Sequence, residues 1–502
     1  MTENTGLKYT SLEEITPAYK ELQATFRAGT TRPLPWRKHQ LKKLGFLLQD
    51  NEKAITDAVF HDLSRPAFET ILCELEPTKH EINEACKELS NWAKTRKAKT
   101  NWTWALSYPT ITPCPKGVSL LIGTWNFPIC TYSGLEAPIE SVADLAFPGL
   151  LIGPLVGAIA AGCPAVIKPS EQDTAVAALF AELIPKYLDT SAYKVVNGAI
   201  DETTALLKLR WDHIFYTGGG TVGKIIAHAA AEHLTPVTLE LGGKSPALVF
   251  DDADVVTAAK RIMWGKFVNS GQICMSPDYI MCTQEMQPKL VAAFESALKE
   301  FNPPEGDASP RLVDNQQYSR IVSRNQFNRI KTLIDETKGR VVIGGTCDEQ
   351  SNKVEITIVA DVQTDDVLMQ GEIFGPVLPI LVVETSDEMI DYINDHDNPL
   401  ALYVFTQSTA NKDYIFKNTR SGACLQNDVL VQFIIPGLPF GGAGPSGYGN
   451  YHGKASFDTF SHERSFAHVP TWLETVMKFR YPPYTPAKMK QMLLVSKEVI
   501  SR

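Results

Sequence analysis

Cys274 is the candidate nucleophile of the sequence. It lies in the run Asn-Ser-Gly-Gln-Ile-Cys-Met-Ser-Pro (269–277), in which glycine and proline predict a loop or the edge of a helix. A thiol there can be accessible, and neighbouring backbone amides can stabilise its thiolate, which is the nucleophilic form. The alternative is a small buried apolar side chain, as most cysteines are. The pattern around this one residue leaves both interpretations open.

Two further polar side chains follow strand-like runs. Glu240 stands in Val-Thr-Leu-Glu-Leu-Gly-Gly-Lys, and a carboxylate at a strand end would reach a cleft, where partial burial raises its pKa toward that of a general base. Asn126 stands in Thr-Trp-Asn-Phe-Pro and offers the neutral amide donor of an oxyanion pocket. The alternatives are an exposed or lysine-paired carboxylate for Glu240 and a turn-forming amide for Asn126.

A glycine cluster at 218–223 follows one strand-like run and opens a predicted helix. Glycines let backbone amides approach a phosphate, and a helix N-terminus favours an anion. The spacing of Gly218, Gly223 and Lys224 fits most of a P-loop nucleotide hydrolase, but Ile225 stands where that loop needs a Ser or Thr hydroxyl for Mg²⁺. The cluster is not a G-x-G-x-x-G motif either. A phosphate site and a tight structural turn both remain open.

Metal and serine-hydrolase chemistry find no support in the sequence. His228 and His233 are five positions apart and do not share a helix face, and no Cys or His pair has the spacing of a zinc site. No G-x-S-x-G motif occurs. We therefore predict no metal site.

Alternating strands and helices must position these groups. Residues 10–100 show the period of amphipathic helices, and short apolar runs then alternate with helical patterns. The strand-like runs are 117–123, 165–168, 193–196, 213–217, 236–240 and 246–250, and the helical patterns are 173–185, 252–268, 288–300 and 314–337. This alternation predicts an α/β fold of two doubly wound parallel sheets, in two domains that meet near residue 240.

Composition narrows the class of protein. The chain has 502 residues, with 48 basic and 57 acidic side chains, and a net charge of −9. This balance argues against nucleic-acid binding, which needs a basic face. Nine dispersed cysteines predict reduced thiols, and the first thirty residues lack the pattern of a signal peptide, so we expect a cytoplasmic protein.

Two segments raise the question of a membrane. Residues 145–167 carry no charge, but Pro148, Pro154 and Pro164 would interrupt a spanning helix, and we predict none. The tail 471–502 has six Lys or Arg against two Glu and a predicted basic amphipathic helix at 489–500. A solvated helix packed on the body is the favoured interpretation, and peripheral contact with an acidic membrane is the alternative.

Seven blocks, met in order along the chain, together resemble the aldehyde dehydrogenase superfamily. They are residues 125–128, 168–171, 216–223, 239–244, 271–274, 372–376 and 438–442. The run Gly-Asn-Tyr-His-Gly-Lys-Ala-Ser-Phe-Asp-Thr-Phe-Ser-His (449–462) resembles the class 3 branch, which includes fatty-aldehyde dehydrogenases and fungal apo-carotenal dehydrogenases. The resemblance favours the chemical interpretation of each block over the structural alternatives.

The resemblance implies a role for each catalytic group. Cys274 would attack the aldehyde, Asn126 and the Cys274 backbone amide would hold the oxyanion, and Glu240 would deprotonate the water that hydrolyses the thioester. A thiolate suits this route because it adds to a carbonyl and leaves an acyl group readily.

The resemblance also implies an NAD site, with NADP as an alternative cofactor. Lys168 and Glu171 would contact the adenosine ribose, Glu372 the nicotinamide ribose, and Phe374 the nicotinamide ring. Phe127 and Trp264 would line the aldehyde tunnel, which suits medium- or long-chain or aromatic aldehydes. The pyrophosphate would meet the turn formed by Thr217, Gly218, Gly219, Gly220, Thr221, Val222 and Gly223.

One departure from the family pattern lies beside Asn126. Pro128 and Gly157 are 29 positions apart, more than in relatives, so residues 130–148 resemble an insertion. A surface loop, a gene-model artefact and a segment that disables the site are the alternatives, and the acidic composition favours the loop. If the segment disables the site, the chain would be an inactive binding or structural relative.

The resemblance predicts an aldehyde dehydrogenase that forms a homodimer and takes a small aldehyde as its substrate. The predicted domains are a cofactor-binding domain (1–93 and 117–240), a catalytic domain (241–434), a small β bridging element (94–116 and 435–470) and the tail.

Overall fold

The computed structural model describes residues 7–128, 150–303, 311–433, 435 and 437–496. The predicted insertion 130–148 lies outside these described residues, so its effect on the site stays a prediction. Helices dominate up to residue 92, and strands and helices alternate from residue 110 to residue 426.

The α-helices of the described residues have the following bounds: α1 (Leu12–Ala28), α2 (Leu34–Asp50), α3 (Glu52–Leu63), α4 (Ala67–Thr70), α5 (Glu76–Trp92), α6 (Ile152–Ala161), α7 (Thr174–Tyr187), α8 (Ile200–Leu207), α9 (Gly220–Ala231), α10 (Val255–Phe267), α11 (Met286–Phe301), α12 (Arg324–Glu336), α13 (Ser386–Asn394), α14 (Thr409–Asn418), α15 (Lys454–Thr459), α16 (Glu474–Met477) and α17 (Pro486–Ser496). A π-turn at Ile71–Leu75 joins α4 to α5.

The strands have these bounds: β1 (Arg96–Lys97), β2 (Thr110–Pro115), β3 (Ser119–Ile122), β4 (Ala165–Lys168), β5 (Tyr193–Val195), β6 (His213–Thr217), β7 (Val237–Glu240), β8 (Pro246–Val249), β9 (Tyr279–Cys282), β10 (Arg340–Ile343), β11 (Cys347–Asp348), β12 (Lys353–Val354), β13 (Thr357–Ala360), β14 (Val377–Val382), β15 (Ala401–Phe405), β16 (Ala423–Gln426), β17 (Gly447–Tyr448) and β18 (Ser461–Phe466).

The first sheet has the strand order β17-β7-β6-β3-β4-β5. All its neighbours are parallel except β17, which pairs antiparallel with β7 at the edge. Strands β3, β4 and β6 are buried along their whole length, as expected for a parallel sheet covered by helices on both faces. The predicted doubly wound arrangement is confirmed for this half.

The second sheet has the order β10-β13-β14-β9-β8-β15-β16 and is parallel except for β10. The chain leaves the first sheet at the end of β7 and enters the second at β8, so that Glu240 lies at the crossing between the two sheets. The amino ends of β9 and β14 are preceded by loops that contain Cys274 and Glu372.

A third, antiparallel sheet has the order β1-β2-β18. Its register runs from Ser461 opposite Pro115 to Phe466 opposite Thr110. Five of the six β18 residues are exposed, and this strand forms one edge of the sheet. The domain boundaries given above stay a prediction.

Helices α7, α10 and α11 lie within three residues of their predicted bounds, and two other helices differ as follows. The pattern at 314–337 is α-helical only in α12, where Ser323 Oγ accepts the amide of Gln326 at the start of the helix. Before it, the backbone amides of Arg320 and Ile321 donate to the distant carbonyls of Leu63 and Asn352 instead of forming helical hydrogen bonds. The tail helix α17 begins at Pro486 rather than 489, since proline suits a first helical turn. No helix in the described part of the chain is long and apolar enough to cross a membrane.

Candidate active site

A cleft between the first two sheets brings together residues that are far apart in the sequence. From the first sheet it takes residues that follow β3, β6 and β7, and from the second sheet residues that precede β9 and β14. The strand order of the first sheet reverses between β3 and β6, and open α/β sheets bind ligands at such a reversal. The predicted site residues that line the cleft are Asn126, Thr217, Gly218, Gly219, Glu240, Cys274, Glu372 and Phe374.

The thiol loop, residues 268–275, has an unusual backbone. After α10 ends at Phe267, Asn269 and Ser270 take left-handed conformations with φ of 49° and 51°. Such a conformation costs about 1–2 kcal/mol in a residue with a side chain and persists where its surroundings fix it. Gly271 has φ of 68°, and a Cβ there would lie 2.5 Å from the carbonyl oxygen of Gly375. Glycine is therefore required where the two loops touch.

Gln272 ties the thiol loop to the rest of the chain. Its Nε2 donates to the carbonyls of Asn269 (2.9 Å) and Arg320 (3.0 Å), and its Oε1 accepts from the amide of Val322 (3.0 Å). The side chain is completely buried. These hydrogen bonds fix the backbone two residues before Cys274.

The surroundings of Cys274 raise the pKa of its thiol. Burial raises the pKa of Cys274, and the carboxyl groups of Glu372 and Glu240 raise it further. The amides of Cys274 and Met275 lower it, in the direction that the sequence predicts, but burial outweighs them. The cleft therefore disfavours the thiolate form of Cys274 relative to an exposed cysteine.

Glu240 is a buried carboxyl group at the end of β7. Its side chain is 2% exposed, and neither oxygen has a hydrogen-bond partner among the described residues. Burial raises the pKa of Glu240 well above its ordinary value. The burial excludes an exposed carboxylate, and the missing partner among the described residues excludes a lysine pair. The cleft thus contains a carboxyl group that binds its proton more tightly than an exposed glutamate does.

Asn126 is joined directly to the thiol loop. Its Nδ2 donates to the carbonyl of Gln272 (3.1 Å), and its backbone carbonyl accepts from the side chains of Arg65 (2.9 Å) and Asn269 (3.0 Å). The side chain is 1% exposed. An amide nitrogen carries two N–H groups, so one donor of Asn126 is left over for another acceptor.

The glycine turn, residues 217–223, leaves open space at the start of α9. A Cβ on Gly219 or Gly220 would meet nothing within 4 Å, whereas a Cβ on Gly223 would lie 2.8 Å from Leu241 Cδ2. Gly219 and Gly220 thus leave the helix N-terminus accessible, and Gly223 allows the helix to pack on the neighbouring segment. Of the predicted residues here, Thr217, Gly218 and Gly219 line the cleft.

Three side chains form hydrogen bonds with the backbone of the Glu372 loop, residues 371–376. Asp278 accepts the amide of Ile373 (3.1 Å), Arg329 donates to the carbonyl of Ile373 (2.6 Å), and Lys266 donates to the carbonyl of Gly375 (3.1 Å). Burial raises the pKa of Glu372 to about 8; the carboxylate of Asp278 acts in the same direction, while Lys244 and Lys266 oppose it.

Phe374 forms one wall of the cleft from this loop. It has φ of 49°, and its ring meets the ring of Trp125 edge to face at a centroid distance of 5.4 Å. Aromatic edge-to-face contacts of this kind stabilise a fixed relative position.

Known proteins resemble this chain over almost its whole length. The model described as "Aldehyde dehydrogenase family" matches residues 147–466. The rat protein "Aldehyde dehydrogenase family 3 member A2" is 42% identical over 470 residues, which cover 94% of this chain and 92% of the relative. This chain belongs to the aldehyde dehydrogenase family. It is an oxidoreductase that acts on aldehydes with NAD or NADP, and the predicted class 3 resemblance is confirmed.

Other relatives of this aldehyde dehydrogenase support the same assignment. The human "Aldehyde dehydrogenase family 3 member B1" is 40% identical over 487 residues, covering 97% of this chain and 98% of that protein. A solved structure of Staphylococcus aureus AldH in a substrate-bound state is 36% identical with a TM-score of 0.87, and it covers 96% of this chain and 99% of its own. The predicted aldehyde dehydrogenase-like α/β fold is confirmed.

The residues of this aldehyde dehydrogenase fit a dinucleotide at the glycine turn. The open helix start offers backbone N–H groups and the positive end of the helix dipole to a phosphate. The Nζ of Lys168, at the end of β4, lies 3.4 Å from a carboxylate oxygen of Glu171, whose side chain is 41% exposed. Burial raises the pKa of Tyr216, and the carboxylate of Glu171 raises it further. The side chains of Lys168 and Glu171 thus stand at the strand ends beside the turn, although they do not line the cleft itself.

Two predicted substrate residues lie away from the cleft lining. Phe127 is 3% exposed, and its ring centroid lies 5.0 Å from Arg65 Cζ. Trp264 is half-buried and packs against the main core. Their assignment to an aldehyde tunnel stays a prediction.

Sequence analysis missed several groups that the fold brings to the site. Gln326 lines the cleft from α12, far from any recognised block. Asp278 and Lys266 hold the Glu372 loop from neighbouring segments. Lys244 belongs to the block 239–244, and this local signal could have drawn attention to it. In the structure it forms an ion pair with Asp278 at 2.5 Å. The others act through tertiary contacts that leave no local signal.

Proposed function

We propose that this aldehyde dehydrogenase converts a medium- or long-chain aliphatic aldehyde, or an aromatic aldehyde, to the carboxylic acid through a thioester on Cys274. The supporting observation is that one cleft holds a thiol, a buried carboxyl group and a buried amide beside an accessible helix N-terminus. We assign these three groups as nucleophile (Cys274), base (Glu240) and oxyanion donor (Asn126).

The first stage needs a proton acceptor, because burial and the neighbouring carboxyl groups raise the pKa of the Cys274 thiol. We assign that role to the ionised form of Glu240, after its own proton has passed to solvent; because burial raises the pKa of Glu240, this carboxylate is a stronger base than an exposed glutamate. The thiolate then forms a bond to the aldehyde carbon, and the carbonyl π electrons move to oxygen. The free N–H of Asn126 and the backbone amide of Cys274 hold that oxyanion.

The second stage releases the acid. When bound, the nicotinamide supplies the hydride acceptor for the oxidation. The chain is left with a thioester on Cys274, and Glu240, once its first proton has passed to solvent, takes a proton from water. The water oxygen attacks the acyl carbon, the carbon–sulfur bond breaks, and the acid and the Cys274 thiolate are formed.

Cofactor preference follows from Glu171 beside the glycine turn, and substrate preference follows from the cleft lining. A carboxylate at Glu171 would disfavour the additional phosphate of NADP, so we propose NAD as the preferred cofactor and NADP as a second one. Trp125, Leu150 and Phe374 give the cleft an apolar, aromatic wall that suits an aldehyde with a long or aromatic body.

We also propose a homodimer, formed through the third sheet. Strand β18 is an exposed edge, and Trp104, Leu106, Tyr108 and Phe466 expose large apolar side chains near that sheet. The rat relative named "Aldehyde dehydrogenase, dimeric NADP-preferring" is 42% identical over 484 residues and is described as dimeric. Light scattering after gel filtration should give twice the chain mass, and Phe466→Lys should shift the equilibrium to monomer.

The tail and the compartment complete the proposal. We propose that the protein works in the cytoplasm and that the tail, with exposed Trp472, Val476 and Tyr484 beside Lys478 and Arg480, either stays solvated or contacts acidic lipid. Sedimentation with anionic vesicles, with neutral vesicles as the control, separates these two alternatives.

The test of the proposed activity is a panel of aldehydes, from short to very long aliphatic chains and including aromatic ones, each with NAD and with NADP. We expect reduced cofactor to form, kcat/KM to rise with chain length, and NAD to be preferred. Absence of turnover with every aldehyde would contradict the proposal and favour an inactive binding protein. Activity restored by deleting 130–148 would then assign the loss to that segment.

A further inference from the structure

A buried charged cluster lies behind the cleft, in the N-terminal helical region. Arg65 stands between α3 and α4, Glu69 lies in α4, and Glu74 lies in the π-turn that follows. Arg65 and Glu74 are completely buried and Glu69 is 6% exposed, although charged side chains are rarely buried to this extent. These residues are not part of the cleft lining, so any effect on chemistry acts through other groups.

Arg65 holds the backbone of the residue assigned to the oxyanion. Its Nη1 donates to the carbonyl of Asn126 (2.9 Å), and its guanidinium lies over the ring of Phe127 with Cζ 5.0 Å from the centroid. An ion pair with Glu74 and a hydrogen bond from Nε to Thr70 Oγ1 (3.3 Å) fix the guanidinium itself. The planar fork of arginine can make these contacts at the same time, which a lysine cannot.

Glu69 holds the thiol loop, which carries the second group assigned to the oxyanion, the backbone amide of Cys274. Its Oε2 accepts the backbone N–H of Asn269 (3.0 Å), the first left-handed residue of the thiol loop. The side chain of Asn269 in turn donates to the carbonyl of Asn126 (3.0 Å) and to that of Gln272 (3.2 Å). The carbonyl of Asn126 is therefore the point where Arg65 and the thiol loop meet.

The two assigned oxyanion donors lie on different loops, so their separation is not fixed by either loop alone. The amide of Asn126 comes from the segment after β3, and the backbone amide of Cys274 comes from the thiol loop. An error of about 1 Å in such a geometry can cost about 100-fold in rate. The contacts of Arg65 and Glu69 link both loops to one buried cluster.

We propose that Arg65, supported by Glu74 and acting together with Glu69, is a positioning residue that sets the distance between the two oxyanion donors. The inference rests on the proposed function, because it concerns the site that we assign to the oxyanion. It predicts that the cluster controls the rate of turnover and leaves cofactor binding and the nucleophilicity of Cys274 almost unchanged.

The test compares Arg65→Met with the wild type in three measurements. Active sites are counted by alkylation of Cys274 with iodoacetamide, a reaction that needs no oxyanion donor. We expect kcat per counted site to fall about 10- to 100-fold, the alkylation rate to change by less than about threefold, and the dissociation constant for NAD to change by less than about twofold. An unchanged kcat per counted site would overturn the positioning role.

A matched control separates positioning from stability. Arg37 is also a buried arginine that donates to two carbonyls, those of Thr31 (3.0 Å) and Ala160 (3.1 Å), but it is not part of the cleft lining. Arg37→Met should lower the melting temperature and leave kcat per counted site at the wild-type level. An equal loss of kcat in both variants would show that burial of any arginine, and not this cluster, controls the rate.

Arg65→Lys and a double mutant complete the design. The lysine keeps the charge beside Glu74 but makes fewer hydrogen bonds, so we expect an intermediate kcat, and this variant serves where Arg65→Met does not fold. If Arg65 acts through Asn126, adding Arg65→Lys or Arg65→Met to Asn126→Ala should lower kcat no further; additive losses would overturn the proposal. A wild type without aldehyde oxidation would instead overturn the proposed function.

Discussion

The glycine turn and the thiol loop face each other across one cleft, yet they are built in opposite ways. The glycine turn follows a parallel strand at the reversal of strand order, and Gly219 and Gly220 leave open space at the start of α9. The thiol loop precedes β9 at its amino end, and Asn269, Ser270 and Gly271 form a left-handed, buried turn held by hydrogen bonds from distant segments.

This difference fits the roles that we propose for the two regions, a dinucleotide site and a nucleophile. A dinucleotide enters and leaves, and a helix N-terminus offers N–H groups to it with little support from elsewhere. A nucleophile that forms and breaks a covalent bond needs its position fixed by its surroundings, since small errors cost rate. Backbone strain and buried polar contacts are therefore concentrated on the thiol side of the cleft.

The largest expected effect comes from removing the nucleophile. Cys274→Ala should lower aldehyde oxidation by at least about 10⁴-fold, because no other group in the described cleft is assigned to form the acyl bond. The NAD dissociation constant, measured by fluorescence titration, should stay within about twofold of the wild type, since the glycine turn is built independently. Loss of NAD binding together with activity would show that the two regions are not independent.

The next largest effect comes from the base. Glu240→Gln should allow the first acylation, started at alkaline pH where the thiol ionises without help, and should slow thioester hydrolysis by about 100- to 1,000-fold. Rapid-mixing measurements should then show a burst of reduced cofactor, equal to one per active site, followed by slow turnover. A matched variant, Glu182→Gln, changes an exposed glutamate on α7 and should behave as the wild type. Equal slowing of burst and turnover would contradict the assigned role in hydrolysis.

Sequence reasoning worked best where a signal is local. The strand-helix alternation predicts the parallel strands of the first sheet and β8 of the second, because a buried parallel strand is a short apolar run and its crossover helix follows within a few residues. The other strands of the second sheet were not predicted individually. The glycine turn, with residues 218–223 directly after β6, is of this kind. Glu240 at the end of β7 was predicted from its position as well, and its burial is now observed.

The thiol side was less accessible to such reasoning. The residues that hold it, such as Arg65, Glu69 and Arg320, come from helices and loops up to 200 positions away, and no pattern near Cys274 points to them. The raised pKa of Cys274 also depends on burial that only the fold creates. The segment before α12 was predicted as helix from its local pattern. That prediction was wrong because tertiary hydrogen bonds of the backbone override the local pattern there.

A pair of glycine variants sharpens the contrast within the glycine turn. Gly219→Ala places a methyl group in open space at the expected phosphate position, so the melting temperature should not change and NAD binding should weaken by about tenfold, or about 1.4 kcal/mol. Gly223→Ala instead meets Leu241 Cδ2 and should destabilise the fold by about 1–2 kcal/mol, with a smaller effect on NAD binding. Calorimetric titration and urea unfolding measure the two effects. The same response in both variants would contradict the separation of binding and packing roles.

The last expected effect is on stability alone and concerns the carboxyl group of Glu372, which is partly buried. Burial raises the pKa of Glu372 to about 8 in the folded chain, above its ordinary value of 4.5, so the folded state holds this proton more tightly than the unfolded state. This contribution to stability is present at acid pH and is lost as pH rises toward about 8. Glu372→Gln cannot titrate, so relative to the wild type its free energy of unfolding should rise by about 1–3 kcal/mol between about pH 5 and about pH 9, given about 1.4 kcal/mol per pKa unit and partial solvent screening. Urea unfolding at both pH values measures this difference. If the difference in free energy of unfolding between the variant and the wild type is the same at both pH values, the pKa of Glu372 is not raised in the folded chain.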